Sequence, residues 1–154
     1  MTRLCTRTFD ETIMHADPDI ILNVVADIER WPLILPHYRS VTVKGMKDGG
    51  RLVEMSAMRG RIPVWCTAVQ RLDAGERRVY YRHVGGPTRG IYVEWRIEPM
   101  GDGVRVSVTH ILTLSYPIVR TLPGRCIVRR YLIKGLMDMT LSRIKTIVES
   151  EDEY

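Results

Sequence analysis

Six consecutive segments of alternating apolar and polar residues fill the middle of the chain, and they constrain its fold more than any other feature. Alternation with a period of two is typical of β-strands, whose successive side chains point to opposite faces. The breaks between the segments are rich in Gly and Asp, which is typical of tight turns. Because short turns join antiparallel neighbours, the pattern predicts an antiparallel meander. The segments are 39–46, 51–59, 62–72, 77–84, 91–98 and 104–115.

The residues before this meander predict one strand and two helices. Residues 3–14 alternate and predict the first strand. Asp17 followed by Pro18 predicts a helix N-cap and first helical residue, because the proline φ is already close to the helical value. Apolar residues then recur at helical spacing over 20–28. A short second helix is expected over 33–35, ending before a proline.

A long helical pattern over 125–149 closes the chain, and residues from about 150 to 154 are expected to form a frayed tail. The predicted order is therefore β-α-α-β6-α, an α+β fold in a single domain over 1–154. In this fold a seven-stranded, curved antiparallel sheet surrounds the long C-terminal helix. The gap between sheet and helix is the expected ligand site. The apolar stripe of the last helix consists of Ile133, Met137, Leu141, Ile144 and Val148.

Composition and missing motifs argue against several functional classes. A chain of 154 residues with 45% apolar and 27% charged residues is typical of one globular domain. No apolar run approaches the ~18 residues of a membrane span, and the polar start argues against a signal peptide. The three cysteines are far apart and odd in number, which predicts a reducing, cytoplasmic location without disulfides. Metal-binding, phosphate-loop, dinucleotide and serine-elbow motifs were not found, so neither a metal nor a cofactor is predicted.

Alternation in the last strand places His110 on an otherwise apolar face. It can be a core histidine that is satisfied by a backbone carbonyl, or a ligand anchor that transfers protons. Both interpretations remain open. In the strands 62–72 and 77–84 the pattern does not decide which face is buried, because both faces mix apolar and polar residues.

Several short segments carry a family pattern over nearly the whole chain. They are Asp27–Pro32, Leu35–Tyr38, Gly86–Trp95, Glu98–Pro99, Gly101–Gly103, Val106–His110 and, in the last helix, Leu141–Ile147. Together they resemble the START/Bet v 1-like (SRPBCC) superfamily, in particular its polyketide cyclase/dehydrase (aromatase/cyclase) and coenzyme-Q-binding members. The resemblance implies the helix-grip fold and a small hydrophobic ligand such as a polyketide, quinone or lipid.

The aromatase/cyclase resemblance also implies a reaction, the aldol closure of a poly-β-ketone followed by loss of water. It implies that Tyr38 matches a tyrosine after the entry Trp-Pro, that Arg71 and Arg82 match two cavity arginines, and that His110 replaces a glutamine. Arg71 would polarise an oxygen, and Tyr38 or His110 would transfer protons. The remaining ligand-binding candidates are Trp31, Trp65, Thr67, Val69, Tyr80, Trp95, Val108 and Met137.

The competing interpretation is a carrier that binds a quinone or lipid without chemistry. Basic and apolar residues mix at the start of the last helix. This fits weak contact with an anionic membrane, but an ordinary amphipathic helix with a solvated face is the preferred interpretation. No nucleic-acid partner is expected, because no clustered basic stripe or stacking platform is evident. The chain is expected to be a monomer or homodimer. The basic residues are Arg125, Arg129, Arg130 and Lys134.

Overall fold

The computed structural model describes residues 5–86, 88–113 and 135–151. The described strands are β1 (Cys5–Met14), β2 (Tyr38–Lys47), β3 (Gly50–Arg59), β4 (Ile62–Asp73), β5 (Arg78–Gly85), β6 (Ile91–Met100) and β7 (Gly103–Thr113). The described helices are α1 (Pro18–Ala26), a 3-10 turn (Ile28–Arg30), α2 (Trp31–Ile34) and α3 (Gly135–Glu151).

The strands form a seven-stranded sheet in the order β1-β7-β6-β5-β4-β3-β2, and the neighbouring strands are antiparallel. The predicted meander is therefore confirmed, and β1 closes on β7, the last strand of the meander. With α3 packed on one face, the arrangement is the expected α+β helix-grip fold. The edge strand β2 has register shifts between Tyr38 and Ser40 and between Val43 and Gly45.

Helix α1 begins as the sequence predicts. The Asp17 side chain accepts a hydrogen bond from the Asp19 backbone N–H at 2.8 Å, and Pro18 occupies the first turn. Helix α2 begins at Trp31, earlier than expected, because Pro32 lies in its first turn, where a missing N–H costs nothing. The Trp31 indole N–H donates to the Val24 carbonyl at 3.0 Å and so ties α2 to α1.

Helix α3 turns its apolar stripe towards the sheet, where Leu136, Met137, Leu141, Ile144 and Val148 are buried. Its described part runs from Gly135 to Glu151. The predicted residues 125–134, and with them the basic cluster of Arg125, Arg129, Arg130 and Lys134, lie outside the described residues. Among the helices that the structure describes, none has the length and apolarity needed to cross a bilayer.

Candidate functional site

A cavity of about 90 Å³ lies between the inner face of the sheet and helices α2 and α3. Aromatic and aliphatic side chains make up most of its wall, and Met55 and Met137 project into it from β3 and α3. Trp31 supports one side with its ring 5.0 Å from that of Tyr38 and 6.1 Å from that of Trp95, both in edge-on contact. Since Trp31 is itself anchored to α1, this aromatic frame fixes the entry of the chain into β2.

Tyr38 lines the cavity at the start of β2. Burial raises the pKa of its phenol well above the ordinary 10.0, nearby Cys66 acts in the same direction, and a hydrogen bond with Thr140 acts against both. The Thr140 hydroxyl on α3 lies 2.9 Å from His37 Nε2 and donates to the Leu136 carbonyl at 2.7 Å. The phenol therefore stays protonated at neutral pH, and because the Thr140 proton goes to the Leu136 carbonyl, the phenol donates to the Thr140 oxygen.

His110 lines the same cavity from β7, where it lies opposite Thr8 of β1 and Val93 of β6. Its side chain is buried, and its Nδ1 has no hydrogen-bond partner among the described residues. Burial lowers the pKa of the imidazole from 6.5 to about 3, and the nearby His83 adds to this shift. The ring is thus neutral, with one nitrogen able to donate and the other able to accept.

His83, which the sequence analysis did not select, lies in the cavity wall together with Thr88 and Cys66. Its Nδ1 is 2.7 Å from the Thr88 hydroxyl, and burial lowers its pKa from 6.5 to about 4. Burial also raises the pKa of the Cys66 thiol to about 12, although a hydrogen bond with Thr88 opposes the shift. The signal for His83 was its place in alternation with Val79 and Tyr81, which are both buried.

Arg71 and Arg82 do not lie in the cavity, which corrects the expectation of two cavity arginines. The pairs Ala68–His83 and Gln70–Tyr81 share the inner face of β4 and β5, so the next residue on each strand points outwards. Both arginines are exposed and line a groove on the outer face of the sheet. Arg82 forms an ion pair with Asp48 at 2.7 Å.

The inner position next to Arg71 belongs to Gln70, which is buried in a structural junction. Its amide donates to the Ala26 carbonyl at 2.9 Å and to the Tyr81 hydroxyl at 3.0 Å, and its oxygen accepts from the Arg51 Nε at 3.0 Å. Gln70 therefore links the end of α1 to the floor of the sheet.

The other ligand-binding candidates divide into two groups. Trp31, Trp65, Trp95 and Met137 line the cavity. Thr67, Val69, Tyr80 and Val108 do not: Val69 and Tyr80 line the outer groove, and Val108 is buried in the core opposite Trp95. Among the described side chains, no group of three or more His, Cys, Asp or Glu could hold a metal ion.

A family model described as "Polyketide cyclase / dehydrase and lipid transport" matches residues 14–126. The search of curated proteins found no match. Among solved structures, the chain is similar to the Zhui aromatase/cyclase from Streptomyces sp. R1128, with a TM-score of 0.81, 17% identity and coverage of 95% of this chain and 94% of that one.

Two further solved structures have the same fold. One is the di-domain ARO/CYC StfQ from the steffimycin biosynthetic pathway, with a TM-score of 0.83, 18% identity and coverage of 99% of this chain and 54% of that one. The other is a START superfamily protein from Mycobacterium smegmatis, with a TM-score of 0.68, 16% identity and coverage of 96% and 97%. At these identities the similarity shows the fold alone.

Proposed function

Because the chain belongs to the polyketide cyclase/dehydrase and lipid transport family, we propose that its cavity binds a small hydrophobic, polyketide-like ligand and catalyses its aldol cyclisation and dehydration. The observation that carries the proposal is that Tyr38 on β2 and His110 on β7 line one largely apolar cavity. A few convergent polar groups in an apolar wall are typical of a site that orients a reacting molecule.

The cavity must adapt to such a ligand. Its volume of about 90 Å³ is smaller than the roughly 300–1,000 Å³ of common ligand sites, so a ligand of several rings displaces side chains. Met55 and Met137 are suited to this, because unbranched methionine side chains change rotamer at low cost. Such plasticity also suits a wall that must fold a flexible chain until its reacting carbons meet.

In the proposed reaction, the neutral His110 imidazole removes a proton from a carbon between two ketones. The resulting enolate carbon attacks a second carbonyl, and a carbon–carbon bond forms while that carbonyl becomes an alkoxide. The protonated Tyr38 phenol exchanges its hydrogen bond with Thr140 for one to this oxygen and stabilises its charge. The imidazolium returns its proton to the oxygen, which gives a hydroxyl group. His110 then removes a second proton from carbon and passes it to this hydroxyl group, which leaves as water while a carbon–carbon double bond forms. Arg71 and Arg82 take no part, because they lie on the outer face.

A non-catalytic carrier of a quinone or lipid is the second candidate function. The absence of an arginine among the described cavity residues favours it, since the oxygens of a poly-β-ketone would then be polarised by neutral groups alone. A carrier needs only the apolar wall and a way in.

Native mass spectrometry and a cyclisation assay together test the proposal. The protein is incubated with a poly-β-ketone thioester, and products are followed by their loss of one water. We expect turnover by the wild type and by the exposed control His15→Phe, and at least a 100-fold lower rate for His110→Phe, which keeps a ring but cannot transfer protons. Ligand binding without turnover by the wild type would favour the carrier. Failure to bind any apolar ligand would overturn both functions.

A further inference from the structure

His83 is held in a fixed orientation by the turn that follows β5. The Gly90 backbone N–H donates to the His83 carbonyl at 3.0 Å, and the Ile91 N–H donates to the Thr88 carbonyl at 3.1 Å. The turn places Thr88 in the cavity wall, where the residue is 6% exposed. Its hydroxyl lies 2.7 Å from His83 Nδ1. Thr88 holds the ring at Nδ1, so a ligand that forms a hydrogen bond with this part of the cavity wall would do so through the second nitrogen, Nε2.

Gly86 allows the turn to pack this closely. Its φ of +89° is unfavourable for other residues, and a Cβ built on it would lie 2.7 Å from the Trp65 carbonyl oxygen. The backbone of the turn is therefore in contact with β4, on the same side as Cys66. The position of Thr88, and through it that of His83, is set by backbone rather than by a mobile side chain.

His110 supplies a second incompletely satisfied ring on the same wall. It is 5% exposed, lies on β7 one strand beyond β6, and has no partner for Nδ1 among the described residues. Buried polar atoms in proteins are nearly always hydrogen-bonded to protein, to water or to a ligand. A buried imidazole nitrogen in a cavity wall therefore indicates that the cavity's occupant carries a hydrogen-bonding atom.

The charge of the wall restricts what that atom can be. Burial disfavours a proton on either ring, and a charge on one ring disfavours a charge on the other. Two neutral imidazoles offer donors and acceptors but no counter-ion, so a carboxylate or phosphate would be buried without compensation. An uncharged hydroxyl or enol, which both donates and accepts, matches the wall.

We propose that His83, positioned by Thr88, forms with His110 a specificity-determining wall that selects ligands with an uncharged hydroxyl or enol oxygen on an apolar ring. This inference rests on the proposed function of the cavity and names its ligand class. Thr88 is a positioning residue, because it acts through His83.

Phenol and toluene provide a direct test, because they have nearly the same shape and differ in a hydroxyl against a methyl group. An apolar cavity without hydrogen bonding would prefer toluene, which leaves water more readily. We expect the wild type to bind phenol at least 10-fold more tightly than toluene. Binding is measured by NMR titration of the Met55 and Met137 methyl resonances, which report from inside the cavity.

Variants separate the role of the hydroxyl from general packing. Thr88→Val keeps the volume but removes the bonds to His83 and to the Cys66 thiol, and should weaken phenol binding about 5–10-fold while toluene binding stays unchanged. Thr88→Ser should restore phenol binding. Thr109→Val is the matched control, because Thr109 is buried on the opposite face of β7. The ¹⁵N shifts of the His83 ring should show one tautomer in the wild type and Thr88→Ser, and a mixture in Thr88→Val.

Each outcome bears on a different claim. Equal or tighter binding of toluene by the wild type would overturn the inference while the binding cavity stands. Equal effects of Thr88→Val and Thr109→Val, or a His83 tautomer unchanged in Thr88→Val, would overturn the positioning role. If neither probe shifts the methionine resonances, the proposed function of the cavity fails as well.

Discussion

Mild acid should destabilise this protein through His83 and His110. Both imidazoles are buried in the cavity wall, and burial lowers their pKa values from 6.5 to about 4 and about 3. In the unfolded chain each histidine takes up a proton near pH 6.5, whereas the folded protein does so only several pH units lower. Over this interval the unfolded state binds more protons, so the free energy of unfolding falls as the pH falls.

The size of the effect follows from the two proton equilibria. At pH 5 the unfolded-state protonation of one histidine with a pKa near 6.5 is worth roughly 2 kcal/mol, and at pH 8 it is worth almost nothing. Because both folded-state pKa values lie below 5, the two histidines of the folded protein bind few protons at pH 5 and gain little free energy from protonation. The difference therefore depends weakly on the exact folded-state pKa values. The two groups together should remove about 4 kcal/mol between pH 8 and pH 5, a large part of the about 5–15 kcal/mol of a typical domain.

Urea unfolding at pH 8 and pH 5, followed by tryptophan fluorescence, measures the difference. His83→Gln keeps a polar side chain but cannot titrate, so its loss should shrink to about 2 kcal/mol. His15→Gln, at an exposed position outside the cavity wall, is the matched control and should retain the full loss. His37, whose pKa burial also lowers, adds in the same direction. A wild-type difference below about 1 kcal/mol, or an unchanged difference in His83→Gln, would refute this account of the cavity wall.

Two further substitutions test the structure around the cavity by the same unfolding measurement at pH 8. Gly86→Ala should lower the free energy of unfolding by about 1–3 kcal/mol, because the added Cβ would lie 2.7 Å from the Trp65 carbonyl oxygen. In the control Gly101→Ala the added Cβ has nothing within 4 Å, so the free energy of unfolding should change by less than about 0.5 kcal/mol. Equal effects would contradict the close packing of the turn. Gln70→Leu should cost about 1–3 kcal/mol, since it removes the donor to the Tyr81 hydroxyl and the acceptor of the Arg51 Nε–H, and leaves the Ala26 carbonyl with Arg51 alone; a neutral result would show that Gln70 is dispensable.

The sequence predicted the architecture well because local signals decide it. The period of two, the Gly and Asp turns and the Asp17–Pro18 pair each report on a few neighbouring residues, and all agree with the observed elements. The resemblance to known motifs added the helix-grip arrangement, whereas the pairing of β1 with β7 is a finding of the structure. Tyr38 and His110 both line the cavity. The entry motif pointed to Tyr38, and the alternation of the last strand pointed to His110.

The alternation left the faces of β4 and β5 open, so it offered no check on the resemblance, which alone placed the two arginines in the cavity. On β4 the outward Val69 is as buried as the inward Ala68, because neighbouring strands cover it, so hydrophobicity does not distinguish the two faces. Neighbouring residues on a strand lie on opposite faces, so the inward positions next to Arg71 and Arg82 belong to Gln70 and His83. The contact between His83 and Thr88 depends on a turn whose shape no residue pattern revealed.

The two irregularities in β2 have a consequence for how copies of the molecule meet one another at high concentration. A free sheet border offers unpaired backbone groups to any passing strand, and regular borders of this kind nucleate fibrils. Here the ladder is interrupted after Tyr38 and again after Val43. Lys47 and Lys44, which pairs with Glu54 at 3.3 Å, place charged groups along the same rim. A second molecule would have to dehydrate these ammonium groups and accept a broken hydrogen-bond register, so this rim resists the stacking that would otherwise convert a β-rich chain into aggregate.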